Sequence, residues 1–435
     1  MMAGARHKVA VIGGGIAGAS VATTLASLDP HIIVHVFDQG RSVGGRTSHR
    51  IAFQDDKTFQ WDHGCQFFRA DTPRFKEVVE EWIDRGIASL WEGTFVKESG
   101  AGDFFGLPSK PPFFVGIGGI KSVVRSLLNN APACIQVFEG QRVARMTRDD
   151  SEGKWTLSGT GGEAAYHDTD EKIARAAACG AIGEGYDAIV LTDISSSFSS
   201  WHRASAGVPQ HFSDQVRIRT GSRVPLFTCM IAFDSPIPVE ISAATLDDPT
   251  LWFVSRSNSK PGLEHLSHDC WTLVSTPAYA MQAIKEMPMQ NQTTGEFIPQ
   301  SSDYLTTVPG PALEAAFRRI VSSGRLGGHN GHDLPKTIYL NAQRWGSALP
   351  AHRCLDEASP TREIISGVAY DPGGGDLAPT QVERAHCRSF VSDESKMLFQ
   401  AGDMVSSYTP GFEGAALSGI DSANRIHKLL AAKGC

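Results

Sequence analysis

The run Val9 to Gly18, Val-Ala-Val-Ile-Gly-Gly-Gly-Ile-Ala-Gly, constrains this chain more than any other stretch. Four apolar residues, Val9 to Ile12, read as a strand buried on both faces. Gly13, Gly15 and Gly18 then fall in the G-x-G-x-x-G spacing. The first glycine permits the tight turn out of the strand. The second lets backbone approach a pyrophosphate, and the third lets the following helix lie close on the sheet. Ala17 and the small residues from Ser20 to Ser27 continue that helix, whose N-terminus turns N–H groups toward phosphates. The second strand, Ile32 to Phe37, ends in Asp38, 20 residues beyond Gly18, where a carboxylate accepts a hydrogen bond from a ribose hydroxyl. Strand, glycine turn, helix, strand and acid, in that order, predict a dinucleotide-binding unit.

Arg41 to Thr47 adds a glycine pair, Gly44-Gly45, and then Arg46. A simple NAD domain does not require these residues, and an arginine here can reach back to neutralise the pyrophosphate. Near the other end, Met397 to Ala401 reads as a buried strand. Gly402-Asp403 follows it, then Gly411-Phe-Glu-Gly-Ala-Ala-Leu-Ser-Gly419, with a helix from Ala415 to Leu430. With these residues the chain resembles the flavoprotein superfamily that includes amine oxidases, phytoene desaturases and renalase. Its members carry the fingerprint, an acid and Gly-Gly-Arg, and later Gly-Asp at a strand end and Glu-Gly-Ala at a helix start. The resemblance implies FAD. Asp403 is then expected at a ribityl hydroxyl or the pyrophosphate, and Val143 at adenine. The N–H groups of Glu413, Gly414 and Ala415 are expected at the flavin N1–C2=O edge, which turns negative on reduction. Ser406-Ser407-Tyr408 stands where the superfamily attaches flavin covalently, so the FAD is expected to be non-covalent.

Two inner segments resemble the renalase-like members in particular. Trp61 to Phe68, Trp-Asp-His-Gly-Cys-Gln-Phe-Phe, is similar to their Asp-x-Gly-Ala-Gln-Tyr/Phe-Phe, with Cys65 at the usual alanine. The resemblance places this segment beside the flavin ring, with Gly64 and Cys65 allowing close approach and Gln66 and Phe67 lining the substrate side. Arg344 to Pro350 is similar to their Arg-Trp-x-x-Ala-x-Pro, which puts Arg344 and Trp345 near the ring; by residue type alone, Trp345 reads equally well as core. Phe412 follows Gly411, which takes the place of an amine-oxidase aromatic. The expected catalytic set is therefore Gln66, Phe67, Arg344, Trp345 and Phe412. No His, Lys or carboxylate constellation is expected around the ring.

At 435 residues the chain exceeds what one core normally serves. A net charge of −7 without long Lys/Arg runs argues against nucleic acid or anionic membrane as a partner. No segment approaches the apolar length of a membrane span. The first strand starts near Lys8, which leaves no room for a leader, so a cytoplasmic location is expected. Eight scattered cysteines make no C-x-x-C and no zinc spacing, and read as reduced thiols; no metal is expected.

The remaining chain reads as follows. Ile51 to Phe59 is extended. Phe75 to Arg85 is a helix capped by Asp71 or Thr72 and ended by Gly86. Ile120 to Leu128 is a helix, and Ile135 to Phe138, Gln141 to Met146 and Lys154 to Leu157 are strands. Residues 158–185 form an exposed insertion with a short helix from Glu171 to Cys179, and 356–385 form a second insertion. Tyr186 to Thr192 is a strand returning to the cofactor sheet. Val224 to Phe233, Trp252 to Ser255 and Trp271 to Ser275 suggest an antiparallel sheet. Lys285 to Pro309 reads as a loop, Pro311 to Val321 as a helix and Lys336 to Leu340 as a strand.

The expected fold is α/β: a Rossmann-like FAD-binding domain interrupted by a substrate domain with a mixed or antiparallel sheet, the two-domain architecture of p-hydroxybenzoate hydroxylase. Residues 1–70, 135–195 and 395–435 are assigned to the first domain, 71–134 and 196–394 to the second. The resemblance implies an oxidase that takes hydride from a small reduced substrate, such as a dihydro-NAD(P) isomer, and passes electrons to O2. Three alternatives stay open. One is an amine oxidase, with Tyr408 replacing the missing aromatic. Another is a desaturase or isomerase of apolar substrates, with Phe104, Phe105, Phe113 and Phe114 as its only visible apolar wall. The third is a flavin-binding protein without turnover.

Overall fold

The computed structural model describes residues 7–107, 111–130, 132–161, 181–193, 207–220, 223–288, 298, 300–327, 334–350 and 389–433. The short helix expected from Glu171 to Cys179 and the insertion expected at 356–385 lie outside them.

Two six-stranded sheets organise the molecule. The first runs in the order Val391–Asp393, Leu398–Gln400, Ala188–Leu191, Lys8–Ile12, Ile33–Phe37, Ile135–Phe138. All neighbours are parallel except the Val391–Asp393 edge. Val9, Ala10 and Val11 are fully buried, as an uninterrupted apolar strand in the middle of a parallel sheet must be. One face is covered by the helices Ile16–Leu28, Pro73–Asp84, Lys121–Asn129 and Phe412–Lys433. The other face is covered by the antiparallel strands Gln141–Asp149, Lys154–Gly161 and Ala181–Tyr186, together with the helix Gln210–Thr220.

Pro73–Asp84 and Lys121–Asn129, assigned by sequence to the substrate domain, bury Phe75, Val79, Trp82, Val123 and Leu127 in the same core as Ile16–Leu28. Thr72 rather than Asp71 caps the first of them, its hydroxyl accepting from Phe75 N at 3.2 Å. The expected single extended segment is a hairpin, His49–Gln54 with Lys57–Asp62, which turns through Asp55 and Asp56 at positive φ.

The second sheet runs Thr337–Pro350, Arg223–Phe233, Asp269–Ser275, Leu251–Arg256, Ala243–Thr245, Phe95–Lys97, and only its last pair is parallel. One face packs Phe227, Ile231, Trp271 and Leu273 against the helices Pro277–Glu286 and Pro309–Ser322. The opposite face meets residues 59–67. The stretch read as a polar loop contains the end of the first of these helices and the short helix Ser302–Thr307, both started by a hydroxyl cap, Thr276 and Ser301. No helix among the described residues is long and apolar enough to cross a membrane.

Candidate functional site

The glycine turn carries out its three tasks at three different distances. Gly13 sits at φ +107°, and a Cβ there would lie 2.4 Å from Thr192 Oγ1. A Cβ on Gly18 would lie 2.0 Å from Gly13 O, so this glycine is demanded by packing inside the turn itself. Gly15 differs: its nearest neighbour to a Cβ would be Gly44 O, at 3.7 Å. The space over Gly15 is a cradle that a Cβ would fill, and it lies at the start of a helix with neither a side-chain cap nor an acidic residue in its first turn. The exposed N–H dipoles there suit an anion. Ala17 is buried in that turn, and its carbonyl would lie 2.4 Å from a Cβ on Gly419, where the first and last helices cross.

Asp38 closes the cradle. Its carboxylate accepts from Gly14 N at 2.7 Å and from Gly40 N at 2.6 Å. Burial raises its pKa above the ordinary carboxylate value, although those two N–H groups pull the other way. Gly44 N donates to Gly14 O at 2.8 Å, which seats the second glycine pair on the first, and Gly45 lies at φ +54° against Gly15.

The two sequence signatures meet at Arg46. Its guanidinium grips both oxygens of Asp403, with Nη1 to Oδ2 at 3.0 Å, and Nη1 also donates to Ala348 O at 3.2 Å. Asp403 further accepts from Gly411 N at 3.3 Å, and Gly402 N donates to Ser418 Oγ at 2.9 Å. Residues separated by 357 positions thus form one wall.

Several expected roles change at this wall. Glu413 turns its buried carboxylate away to the start of another helix, accepting from Asp71 N at 2.7 Å and Thr72 N at 3.0 Å. The Ala415 N–H already donates to Gly411 O at 3.0 Å, so of the expected trio only the Glu413 and Gly414 N–H groups keep the position of a free first turn. Phe412 stacks on Phe68 with centroids 4.2 Å apart and belongs to the helical core. The Val143 side chain is buried in a strand paired to Gly159, which is compatible with the expected backbone contact to adenine.

The segment after Trp61 lies against Arg46. Cys65 N donates to Arg46 O at 2.7 Å, and a Cβ on Gly64 would fall 2.1 Å from that same oxygen. The Cys65 thiol donates to Phe67 O at 3.0 Å, and burial pushes its pKa up to about 12. Gln66 is buried and bonded throughout its amide. Its amide NH2 donates to Asp62 O at 2.7 Å and Gly64 O at 2.9 Å, while its carbonyl accepts from Ser255 Oγ at 2.7 Å. Phe67 packs among Trp91, Phe104, Phe113 and Phe253. Of the expected apolar wall, Phe104, Phe105 and Phe113 belong to this cluster, with Phe104 stacked on Phe253 at 4.1 Å, whereas Phe114 packs in the helical core.

Arg344 and Trp345 were expected side by side at the ring, but adjacent residues on a strand point to opposite faces. Arg344 pairs with Phe227, whose ring packs on the helical face, and its Nη2 donates to Ile298 O at 3.1 Å. Trp345 pairs with Leu226 on the other face. Its indole N–H donates to His63 O at 2.9 Å, and the two rings stack 5.4 Å apart. Of the five expected catalytic residues, Gln66 and Trp345 bond to the turn through their side chains, Gln66 at Asp62 O and Gly64 O and Trp345 at His63 O.

Sequence reasoning missed a buried charged cluster behind that turn. Asp62, fully buried, accepts from Lys260 Nζ at 2.8 Å and Ile120 N at 2.7 Å, and lies 2.9 Å from His49 Nδ1. Burial opposes its ionisation, yet Lys260 and His49 hold it well below the usual carboxylate range. Next to it, burial pushes the His63 imidazole down to about 3, with Arg50 and His49 adding to the effect. The expectation of no His, Lys or carboxylate constellation is therefore corrected. Asp62 and His63 were visible in the motif, but Lys260 was not: in the turn Ser-Asn-Ser-Lys-Pro-Gly, 198 residues away, it reads as a solvated lysine.

A cavity of about 310 Å³ lined by Glu240, Arg256, His268 and Asp269 shares no residue with the cradle or the turn. Among the described residues no three His, Cys, Asp or Glu side chains gather to hold a metal ion, and Cys65, Cys134, Cys229 and Cys270 are free thiols.

Residues 11–82 match the family model of the NAD(P)-binding Rossmann-like domain. Solved structures align over nearly the whole chain. Wild-type putrescine oxidase bound to putrescine matches at 12% identity and TM-score 0.55, covering 97% of this chain and 99% of its own. Reduced UDP-galactopyranose mutase matches at 11% identity and TM-score 0.56, covering 97% and 94%. A protein named as a protoporphyrinogen oxidase, from Exiguobacterium sp. 255-15, matches at 12% identity and TM-score 0.54, covering 98% and 99%. At such identities the likeness is one of fold. The chain has a two-domain fold in which a Rossmann-like domain carries a second domain built on a mixed sheet.

Proposed function

We propose that this chain is an FAD-dependent oxidoreductase. The observation that carries the reading is the meeting of its two glycine-rich ends, Gly15 over Gly44 and Arg46 on Asp403, around a cradle fitted for a dinucleotide. FAD would be held without a covalent bond by the turn Gly13 to Gly18, by Asp38 at ribose, and by Gly45 and Arg46 at the phosphates. Gly402, Asp403 and the Glu413 and Gly414 N–H groups would serve the flavin half, and the backbone at Val143 the adenine. A bound FAD supplies a two-electron acceptor.

The narrower reading is an oxidase of a small reduced donor, such as a dihydro-NAD(P) isomer, with O2 as the acceptor. Two features support it. The segments 61–68 and 344–350 resemble those of renalase-like flavoproteins. Asp62, Lys260 and Gln66 at the turn are bonded to protein partners, which gives them positioning roles, and His63, stacked on Trp345 with an unpartnered Nδ1, is the remaining basic group there. The amine-oxidase reading lacks its aromatic pair. Phe412 stacks on Phe68, and the Tyr408 hydroxyl donates to Asp421 at 2.9 Å.

The test is anaerobic mixing of the yellow protein with candidate donors, dihydro-NAD(P) isomers and amines in separate arms, followed at the flavin absorbance. Bleaching by the dihydropyridines alone, reversed by O2 with peroxide release, is the expected result. Bleaching by amines alone overturns the narrower reading. A protein that purifies without flavin and takes up none overturns the broader one.

A further inference from the structure

The turn Trp61 to Gln66 is fixed from two sides. The dinucleotide domain supplies backbone: His63 N donates to Ser48 O at 3.2 Å, and Cys65 N to Arg46 O at 2.7 Å. The substrate sheet and its adjoining turn supply mostly side chains, one after another along the segment. Trp61 Nε1 donates to Ile231 O at 3.0 Å, and Thr272 Oγ1 donates to Asp62 O at 2.9 Å. Lys260 Nζ donates to both Asp62 Oδ2 and Gln66 O at 2.8 Å. Trp345 Nε1 reaches His63 O, and Ser255 Oγ reaches Gln66 Oε1.

We infer that Lys260, Thr272 and Ser255 are positioning residues, through which the substrate sheet sets the distance between the His63–Cys65 turn and a flavin bound beside it. This rests on the proposed reading of the turn as the flavin-facing segment. A buried ion pair is weak evidence for stability, because desolvation of both charges offsets their attraction, whereas its directional bonds fix one register. Lys260 and Asp62 are 1% and 0% exposed, and the Lys260 bonds close both ends of the turn. The turn has no slack on its other side, since Gly64 already lies against Arg46 O. A displacement of the turn toward the substrate sheet therefore loosens the backbone of the residue that grips Asp403.

The experiment compares the FAD-loaded wild type with Lys260→Met, Thr272→Val and Ser255→Ala. It reads the visible absorption of bound flavin, its midpoint potential and the FAD dissociation constant. Lys260→Met is expected to shift the flavin bands and weaken FAD binding roughly tenfold. Thr272→Val and Ser255→Ala should move the spectrum in the same direction by less. Leu313→Ala, in the core on the sheet's helical face, should lower the melting temperature and leave spectrum and affinity unchanged. Wild-type spectra and affinities in the folded variants overturn the inference. Should Lys260→Met fail to fold, the two hydroxyl variants decide it by the same criterion. A wild-type chain that binds no FAD removes the flavin reading itself, which is distinct from FAD bound equally by every variant.

Discussion

In the proposed site, the cradle and the turn are two walls built by opposite means. The cradle is made of missing side chains: Gly13, Gly15 and Gly18 let backbone lie on backbone, and their requirements are met within a few residues or by one neighbouring strand. The turn is made of buried polar groups held chiefly by partners far along the chain, such as Lys260 and Thr272 on Asp62, although His63 Nδ1 has no partner. Tight local geometry, as at Gly13 and Gly18, tolerates no added side chain, while long-range satisfaction tolerates no missing partner. The two walls should therefore break differently.

The largest effect belongs to the turn. Asp62→Ala leaves the Lys260 ammonium buried without its carboxylate, and chemical denaturation should show a loss of about 3–5 kcal/mol. A loss below about 1 kcal/mol would mean that the ion pair does not anchor this wall.

On the cradle side, Asp38→Ala removes the acceptor proposed for ribose, and FAD binding measured by titration should weaken by about 1.5–3 kcal/mol. The same variant frees the Gly14 and Gly40 N–H groups, so some loss of stability should accompany it.

Gly18→Ala and Gly15→Ala sharpen the comparison within one motif. The first forces a methyl onto Gly13 O and should cost about 1–3 kcal/mol of stability. The second meets no atom closer than 3.7 Å, at φ −79°, and should fold normally while losing FAD affinity. Equal stability losses in the two would erase the distinction between a packing glycine and a binding glycine.

Acid should act on the turn through His63, alongside His35 in the parallel sheet, whose pKa burial lowers to about 4. His63 titrates at about 3 when folded against 6.5 when free, so the unfolded chain binds the extra proton between those values. Its contribution is complete above about pH 6.5 and falls by roughly 1.4 kcal/mol per pH unit on acidification. Asp62, held below the ordinary carboxylate range, adds a further loss in stronger acid. In a series of unfolding curves between pH 7 and 4, His63→Phe should flatten the slope.

The smallest effect is expected from Arg344→Ala. Its side chain leaves the site for Ile298 O, so flavin reduction should keep its rate and substrate dependence, with stability within about 0.5 kcal/mol of wild type. A large rise in the apparent substrate constant would return Arg344 to the binding wall.

The sequence by itself determined the cradle. The spacing of Gly13, Gly15 and Gly18, the acid at Asp38, the Gly44-Gly45-Arg46 run and the Gly402-Asp403 pair are local patterns, tied to strand ends and helix starts that apolar periodicity marks. It also placed the two-domain α/β fold, because buried strands alternating with helices leave few architectures. Only the tertiary structure decided what the turn does. Gln66, Phe67 and Phe412 carry residue types suited to a substrate wall, but their partners Ser255, Phe113 and Phe68 lie in the core. Arg344 and Trp345 were separated by the alternation of a strand whose register no local pattern revealed. Lys260 became a buried cation only because folding brought Asp62 to it across 198 positions. Backbone conformation is encoded by neighbours in sequence, whereas the satisfaction of a buried polar group depends on whichever distant residue the packing delivers.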